Sequence, residues 1–181
     1  MNQVDVAIEI LIGKEGDFSD HAKDSGGATR WGITERVARR HGYEGDMKDF
    51  PRELAVLIYR HEYFIAPGFA DVFVLSQSIG SELFDSGVNL GPSVPAIWFQ
   101  RCLNVLNLEG KLYPDLKPDG DIGPKTLAAL STYLKHRGAQ GELVLLRALN
   151  CLQGARYIEL AEKREKDETF IFGWLLHRVA I

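Results

Sequence analysis

The sequence predicts a mainly α protein, and three observations carry that prediction. Apolar residues recur at spacings of three and four along most of the 181-residue chain. Caps and breakers punctuate it at intervals of about one helix length. No alternating strand of useful length occurs, apart from a short β-hairpin expected around Gly27–Ile33.

Taken in order, Val4, Ala7, Ile8, Leu11 and Ile12 share one helical face. With Asn2 as N-cap and Gly16 as stop, a first helix is expected over 3–15, with Glu15 in its last turn. After a polar stretch, Thr34 can cap "ERVARRH", which Gly42 ends. "DFPRELAVLIYRHEYFIAP" should start at Asp49 and Pro51, turn Leu54, Leu57, Ile58 and Ile65 inward, and stop before Pro67. "LSQSIGSELFDSGVNLGP" reads as a helix closed by Gly91-Pro92. "SVPAIWFQRCLNVLN" follows, with Ser93 as cap and Pro95 in the first turn. "LEGKLYPDLKPDGDIGP" is a turn-rich insert. "KTLAALSTYLKH" and "GELVLLRALNCLQGARYIELAEKREK" are helical again, and "TFIFGWLLHRVAI" closes the chain. The natural seam lies at 89–95, giving regions 1–92 and 93–181 that can share one core.

Composition is that of an ordinary globular protein, 45% hydrophobic and 25% charged. No apolar run approaches the roughly 20 residues needed to span a bilayer. Asp5 and Glu9 interrupt the N-terminal apolar stretch and no basic region precedes it, so it reads as an amphipathic helix and not a secretory signal. Cys102 and Cys151 lie in apolar helical contexts and read as buried free thiols. The histidines at 21, 41, 61, 136 and 177 are scattered singly, without zinc-ligand spacing. The net charge of −4 divides unevenly, −6 over 1–92 and +2 over 93–181. Carboxylate chemistry in the front half and an anionic surface at the back would both fit that split, as would chance.

The densest chemistry is "KEGDFSDHAKDSGGATRWGIT", residues 14–34, with four carboxylates, His21, paired glycines and Trp31. A carboxyl at the C-terminal end of a buried helix faces the negative end of the helix dipole. Dipole and desolvation both disfavour the anion and raise the pKa, as a general acid requires. Glu15 has that placement. Asp20 and Asp24 fall in the loop, where solvent and hydrogen bonds would keep them ionised. Two carboxyls in contrasting environments is the pattern for glycoside hydrolysis. Thr29 offers a hydroxyl to position water or a sugar group, and Trp31 a flat face for stacking. A surface loop with a helix-stop glycine and incidental acids accounts for the same residues equally well.

The segment "EGDFSDHAKDSGGATRWGIT" resembles the signature of glycoside hydrolase family 108. So do "YRHEYFIAPGFADVF" and "ELFDSGVNLGPSVPAIWFQRCL", while "DGDIGPKTLAAL" and "FIFGWLLHR" resemble the start and end of the peptidoglycan-binding region that usually follows. These blocks touch nearly the whole chain in the expected order. The resemblance implies a phage or prophage endolysin: an N-acetylmuramidase (lysozyme) with a helical, lysozyme-like fold and no metal or organic cofactor. It places the catalytic glutamate at Glu15. Two departures accompany it, Asp17 where glycine is common and Ser25 where proline is usual.

The second carboxylate stays open between Asp24 and Asp20. Asp24 lies nine residues after Glu15, reminiscent of the Glu/Asp/Thr triad of other phage lysozymes, but Thr29 follows it by five residues where those triads have six. Retention needs carboxyls about 5–5.5 Å apart and inversion about 6.5–9.5 Å, a separation that only a fold supplies.

Asp85 and Asn89, four apart on one helix, could bind an acetamido or hydroxyl group; tying a loop and capping the helix are the competing roles. Glu62 and Glu82 read as solvated helix-face charges. "DGDIGPKT" is a turn leading into a helix. "KREK" (163–166) reads as a solvated face; with the C-terminal aromatic segment it could instead contact an anionic outer membrane. Core packing of Phe170, Phe172, Trp174 and Leu175 is the favoured alternative. The expected partner is the peptidoglycan glycan strand, cut at the β-1,4 bond between N-acetylmuramic acid and N-acetylglucosamine, by a monomer without nucleic-acid partners. Such an enzyme would wait in the host cytoplasm until the inner membrane is breached. A lytic transglycosylase, or a non-catalytic murein-binding or phage tail component, are the alternatives.

Overall fold

The computed structural model describes residues 3–14, 18–19 and 28–179. The chain falls into two compact units, 1–64 and 65–181. The architecture is mainly α with one small sheet, as expected of a lysozyme-like fold.

In the first unit, α1 (Gln3–Lys14) buries Val4, Ile8 and Ile12, a stripe of three residues spaced four apart along one face. That helix packs on α3 (Arg52–Arg60), and the pair is tied at its edges by Arg52 on Glu9 and Arg60 on Asp5. Between them in the chain comes a three-stranded antiparallel sheet of two-residue strands, β1 (Phe18–Ser19), β2 (Thr29–Arg30) and β3 (Ile33–Thr34). Ser19 pairs with Thr29, and Thr29 with Thr34. The expected hairpin is therefore present, and Trp31-Gly32 forms its turn with φ of 55° and 73°. Two successive positive φ values are the primed-turn geometry that matches the twist of short hairpins. Thr34 then caps α2 (Glu35–Arg40), its hydroxyl accepting from the Val37 N–H at 3.4 Å. Asp46 caps the 3-10 turn Met47–Asp49, and α3 then starts with Pro51 in its cap position and no side-chain cap from Asp49.

Two expectations for the third helical segment are corrected. Leu57 is 60% exposed, because the buried face of α3 runs through Ala55, Ile58 and Tyr59. Leu57 stands about 200° around the helix from Ala55, on the opposite side. Ile65 is 51% exposed, since α3 continues into a π-helical turn, His61–Ile65, whose extra residue rotates later positions outward.

The second unit opens with α4 (Phe69–Leu75) and α5 (Gln77–Leu90). Ser76 breaks and caps them, accepting from the Ile79 N–H at 3.2 Å. A Cβ on Gly80 would lie 2.5 Å from the Phe73 Cα, so the two helices meet backbone to backbone there. Ser76 and Ser78 both donate to Glu142, fastening this junction to α7 (Pro124–Lys163). α6 (Ser93–Val105) starts at Ser93 itself, with Pro92 in the cap position, and not after a serine cap. α7 spans Pro124–Lys163 with a break at Gly138 (φ 59°, ψ −151°), and the Tyr133 hydroxyl donates to the Gly141 carbonyl across it at 2.9 Å. Phe69, Leu83, Phe84, Phe99, Leu103, Leu145 and Tyr157 are among the buried side chains of this unit.

A 3-10 turn (Glu165–Asp167) leads to α8 (Glu168–Arg178), none of whose residues is buried. Here the expected aromatic core fails. Ile171, Trp174 and Arg178 make the half-covered stripe, with Trp174 5.2 Å from the Tyr157 ring. Phe172, 76% exposed, points away from it, and Phe170 and Leu175 are also exposed. Cys102 is buried as expected, but Cys151 is exposed, on the outer face of α7. No helix among the described residues is long and apolar enough to cross a membrane.

Candidate functional site

Glu15, Asp20 and Asp24 lie outside the described residues, which include Thr29 and Trp31 in the first unit and Asp85 and Asn89 in the second. Thr29 sits on the central strand of the small sheet, half-buried. Trp31 occupies the adjoining turn in the left-handed region, which costs a bulky residue roughly 1–2 kcal/mol. Its indole N–H donates to the Phe50 carbonyl at 3.1 Å, and the Arg30 guanidinium lies 5.3 Å from its ring centroid. The ring is thus fixed in a strained turn, a placement that recurs at ligand-contacting sites.

Asp85 and Asn89 belong to the other unit. The Asn89 side chain donates to the Asp85 carbonyl at 2.7 Å. Asp85 itself accepts from Gln153 at 3.1 Å and from Arg178 at 2.6 Å, and so links α5 to α7 and α8. One turn earlier on α5, Glu82 accepts from the Ser86 hydroxyl at 3.1 Å. Burial, followed by the neighbouring Asp85 carboxylate, pushes its carboxyl up to about 7, against the opposing hydrogen bonds of Ser86 and Asn150. The solvated-charge expectation for Glu82 is therefore corrected: it belongs to a polar seam between helices.

A raised carboxyl makes stability fall with rising pH. Between about pH 4.5 and 7 the folded protein holds a proton that the unfolded chain has lost, so this contribution is full below the window and gone above it. A shift of this size corresponds to about 3 kcal/mol at most. Thermal melting of the full chain is expected to drop across that window, and Glu82→Gln should flatten the drop.

A cavity of about 840 Å³ lies between the 113–126 segment and the first turns of α7. Its wall is pegged by Gln100 and Asn104 on α6 and by Asn107, two residues beyond the end of that helix. Asn104 exchanges two 2.8 Å hydrogen bonds with Leu116. Asn107 donates to Asp115 at 2.7 Å. Gln100, almost fully buried, accepts from the Gly120 N–H at 2.8 Å and donates to the Asp121 carbonyl at 2.9 Å. Lys117, Lys125, Asp115 and Asp119 line the opening over an apolar floor that includes Ala128 and Ala129. The cavity presents both charge signs around apolar surface. "DGDIGPKT" is thus one wall of a cavity as well as a turn. The spacing of four between Gln100 and Asn104, which puts two amides on one helix face, is the sequence signal for this wall.

Comparison with known proteins gives two family matches in chain order. Residues 8–91 match the model for glycosyl hydrolase 108, and residues 94–179 match that for a predicted peptidoglycan domain. No curated protein matches the chain. Among solved structures, SagA from Brucella abortus is similar in fold, with a TM-score of 0.53 and 23% identity over 98% of this chain and 96% of that one. The two family matches together support a peptidoglycan hydrolase of the glycosyl hydrolase 108 family.

Proposed function

We propose that this glycosyl hydrolase 108-type peptidoglycan hydrolase is an N-acetylmuramidase with Glu15 as its general acid. The observation that carries the reading is the family match over 8–91, which runs through Glu15 immediately after α1. A carboxyl following a helix with a buried face has the dipole and desolvation that keep it protonated near neutral pH. Asp24 or Asp20 is the second carboxylate, with Thr29 positioning the water and Trp31 and Asn89 contacting sugar. On α5, Asp85 holds Gln153 and Arg178 and so fixes the helix that carries Asn89. The division of labour is hydrolysis by 1–92 and murein contact by 93–181, and the 840 Å³ cavity is the contact site within the latter. Its mixed charge over apolar surface suits a peptide stem attached to a glycan strand. The biological setting we favour is phage-encoded lysis by a monomer held in the host cytoplasm until release.

Product analysis tests the chemistry. Purified sacculi digested by the full chain are expected to yield reducing N-acetylmuramic acid ends by mass spectrometry. 1,6-Anhydro ends would instead establish a lytic transglycosylase, and an undigested sacculus a binding protein.

A further inference from the structure

We propose that His41, His61 and Glu62 form a binding site for a divalent metal ion of the zinc class. His41 is the residue that closes α2, where its backbone N–H donates to the Val37 and Ala38 carbonyls at 3.2 and 3.1 Å. His61 and Glu62 open the π-helical turn at the end of α3. The two helix ends bring the three side chains together from positions 20 residues apart in the chain.

The donor atoms converge. Glu62 Oε1 lies 2.9 Å from His41 Nε2 and 3.7 Å from His61 Nδ1, and all three donors lie within 4.8 Å of one another. Tetrahedral zinc with ligands at 2.0–2.1 Å separates its donor atoms by about 3.3 Å, between the two carboxylate distances found. The imidazoles meet edge to face, with centroids 5.6 Å apart and planes at 75°. Arg40 engages the other carboxylate oxygen, Oε2, at 3.1 Å, so Oε1 is the oxygen directed at both imidazoles. Metal-ligating carboxylates are commonly held in this way by an outer partner.

An ion pair alone explains only part of this. His41 and Arg40 satisfy Glu62, but the His61 nitrogen at 3.7 Å is too distant for a hydrogen bond. A shared ion would draw all three donors together. Two imidazoles and one carboxylate favour zinc-class ions over calcium or magnesium, which take oxygen ligands. His61 is 55% exposed at its side chain, against 21% for His41 and 33% for Glu62. An ion could therefore enter from solvent and keep water in its fourth position. The site would clip α2 to α3 and stabilise the first unit, with no part in bond cleavage.

The test uses the full chain stripped of metal, titrated with zinc chloride by calorimetry and with cobalt(II) chloride by visible absorption. One ion per chain, tetrahedral cobalt bands and a higher melting temperature in zinc are expected. His61→Ala, at the most exposed ligand, and Glu62→Gln should each weaken binding by about tenfold or more. His136→Ala and His177→Ala, at exposed positions on other helices, should leave it unchanged. Absence of saturable binding, or binding undiminished in His61→Ala, would overturn the proposal.

Discussion

Glu15→Gln is expected to reduce the rate of turbidity loss in cell-wall suspensions by about 10²–10⁴-fold, the usual contribution of a positioned general acid. The amide keeps the shape of the side chain and removes the proton that the leaving oxygen must receive. Fold should survive, because α1 is anchored through Val4, Ile8 and Ile12 and tied by its own acidic residues to α3. An unchanged circular dichroism spectrum and melting temperature, with retained sacculus binding, would separate lost chemistry from lost structure. The same argument fixes the sign of the pH profile. A general acid works while protonated, so wild-type activity should decline on the alkaline side as Glu15 ionises. Activity surviving in Glu15→Gln would remove the catalytic assignment. Asp20→Asn and Asp24→Asn, assayed alongside, identify the second carboxylate by which of them reproduces the loss.

What could be read from the sequence divides along the range of the interactions. Local signals were sound where one short segment determines the outcome: Thr34 caps α2, Gly91 with φ of 86° closes α5, and Pro124 opens α7. The interruption at Gly138 also falls where the helical reading broke into two segments. Errors cluster where packing decides. An extra π-turn residue is invisible in periodicity, and it turned Ile65 outward. Aromatic content suggested a core role for Phe170 and Phe172, but which face of α8 meets α7 depends on the partner helix. Glu82 looks like a surface charge until α7 places Asn150 beside it. The histidine–glutamate cluster was missed for the same reason, since His41 reaches Glu62 only through the packing of two helix ends. The acid loop was conspicuous because its chemistry is written in one continuous stretch.

The second large effect is expected at Gln100. Gln100→Leu keeps the bulk of the side chain within α6 and deletes the hydrogen bonds that hold Gly120 and Asp121. Leaving such groups unmatched at a nearly buried position costs about 1–3 kcal/mol. Most of the 117–121 segment is exposed, so water can replace the lost partners and the helices should stay folded. The damage is therefore directed at the cavity wall. Asn104 and Asn107 still peg one end, at Leu116 and Asp115, while the Gly120–Asp121 end is released. If the cavity holds murein, a wall that must be reordered on binding charges that ordering against affinity, and about 2 kcal/mol corresponds to roughly thirtyfold. Co-sedimentation with sacculi, performed in the Glu15→Gln background so that the polymer stays intact, should show that loss with only a modest fall in melting temperature. Full binding by the Gln100→Leu protein would place murein recognition elsewhere in residues 93–181.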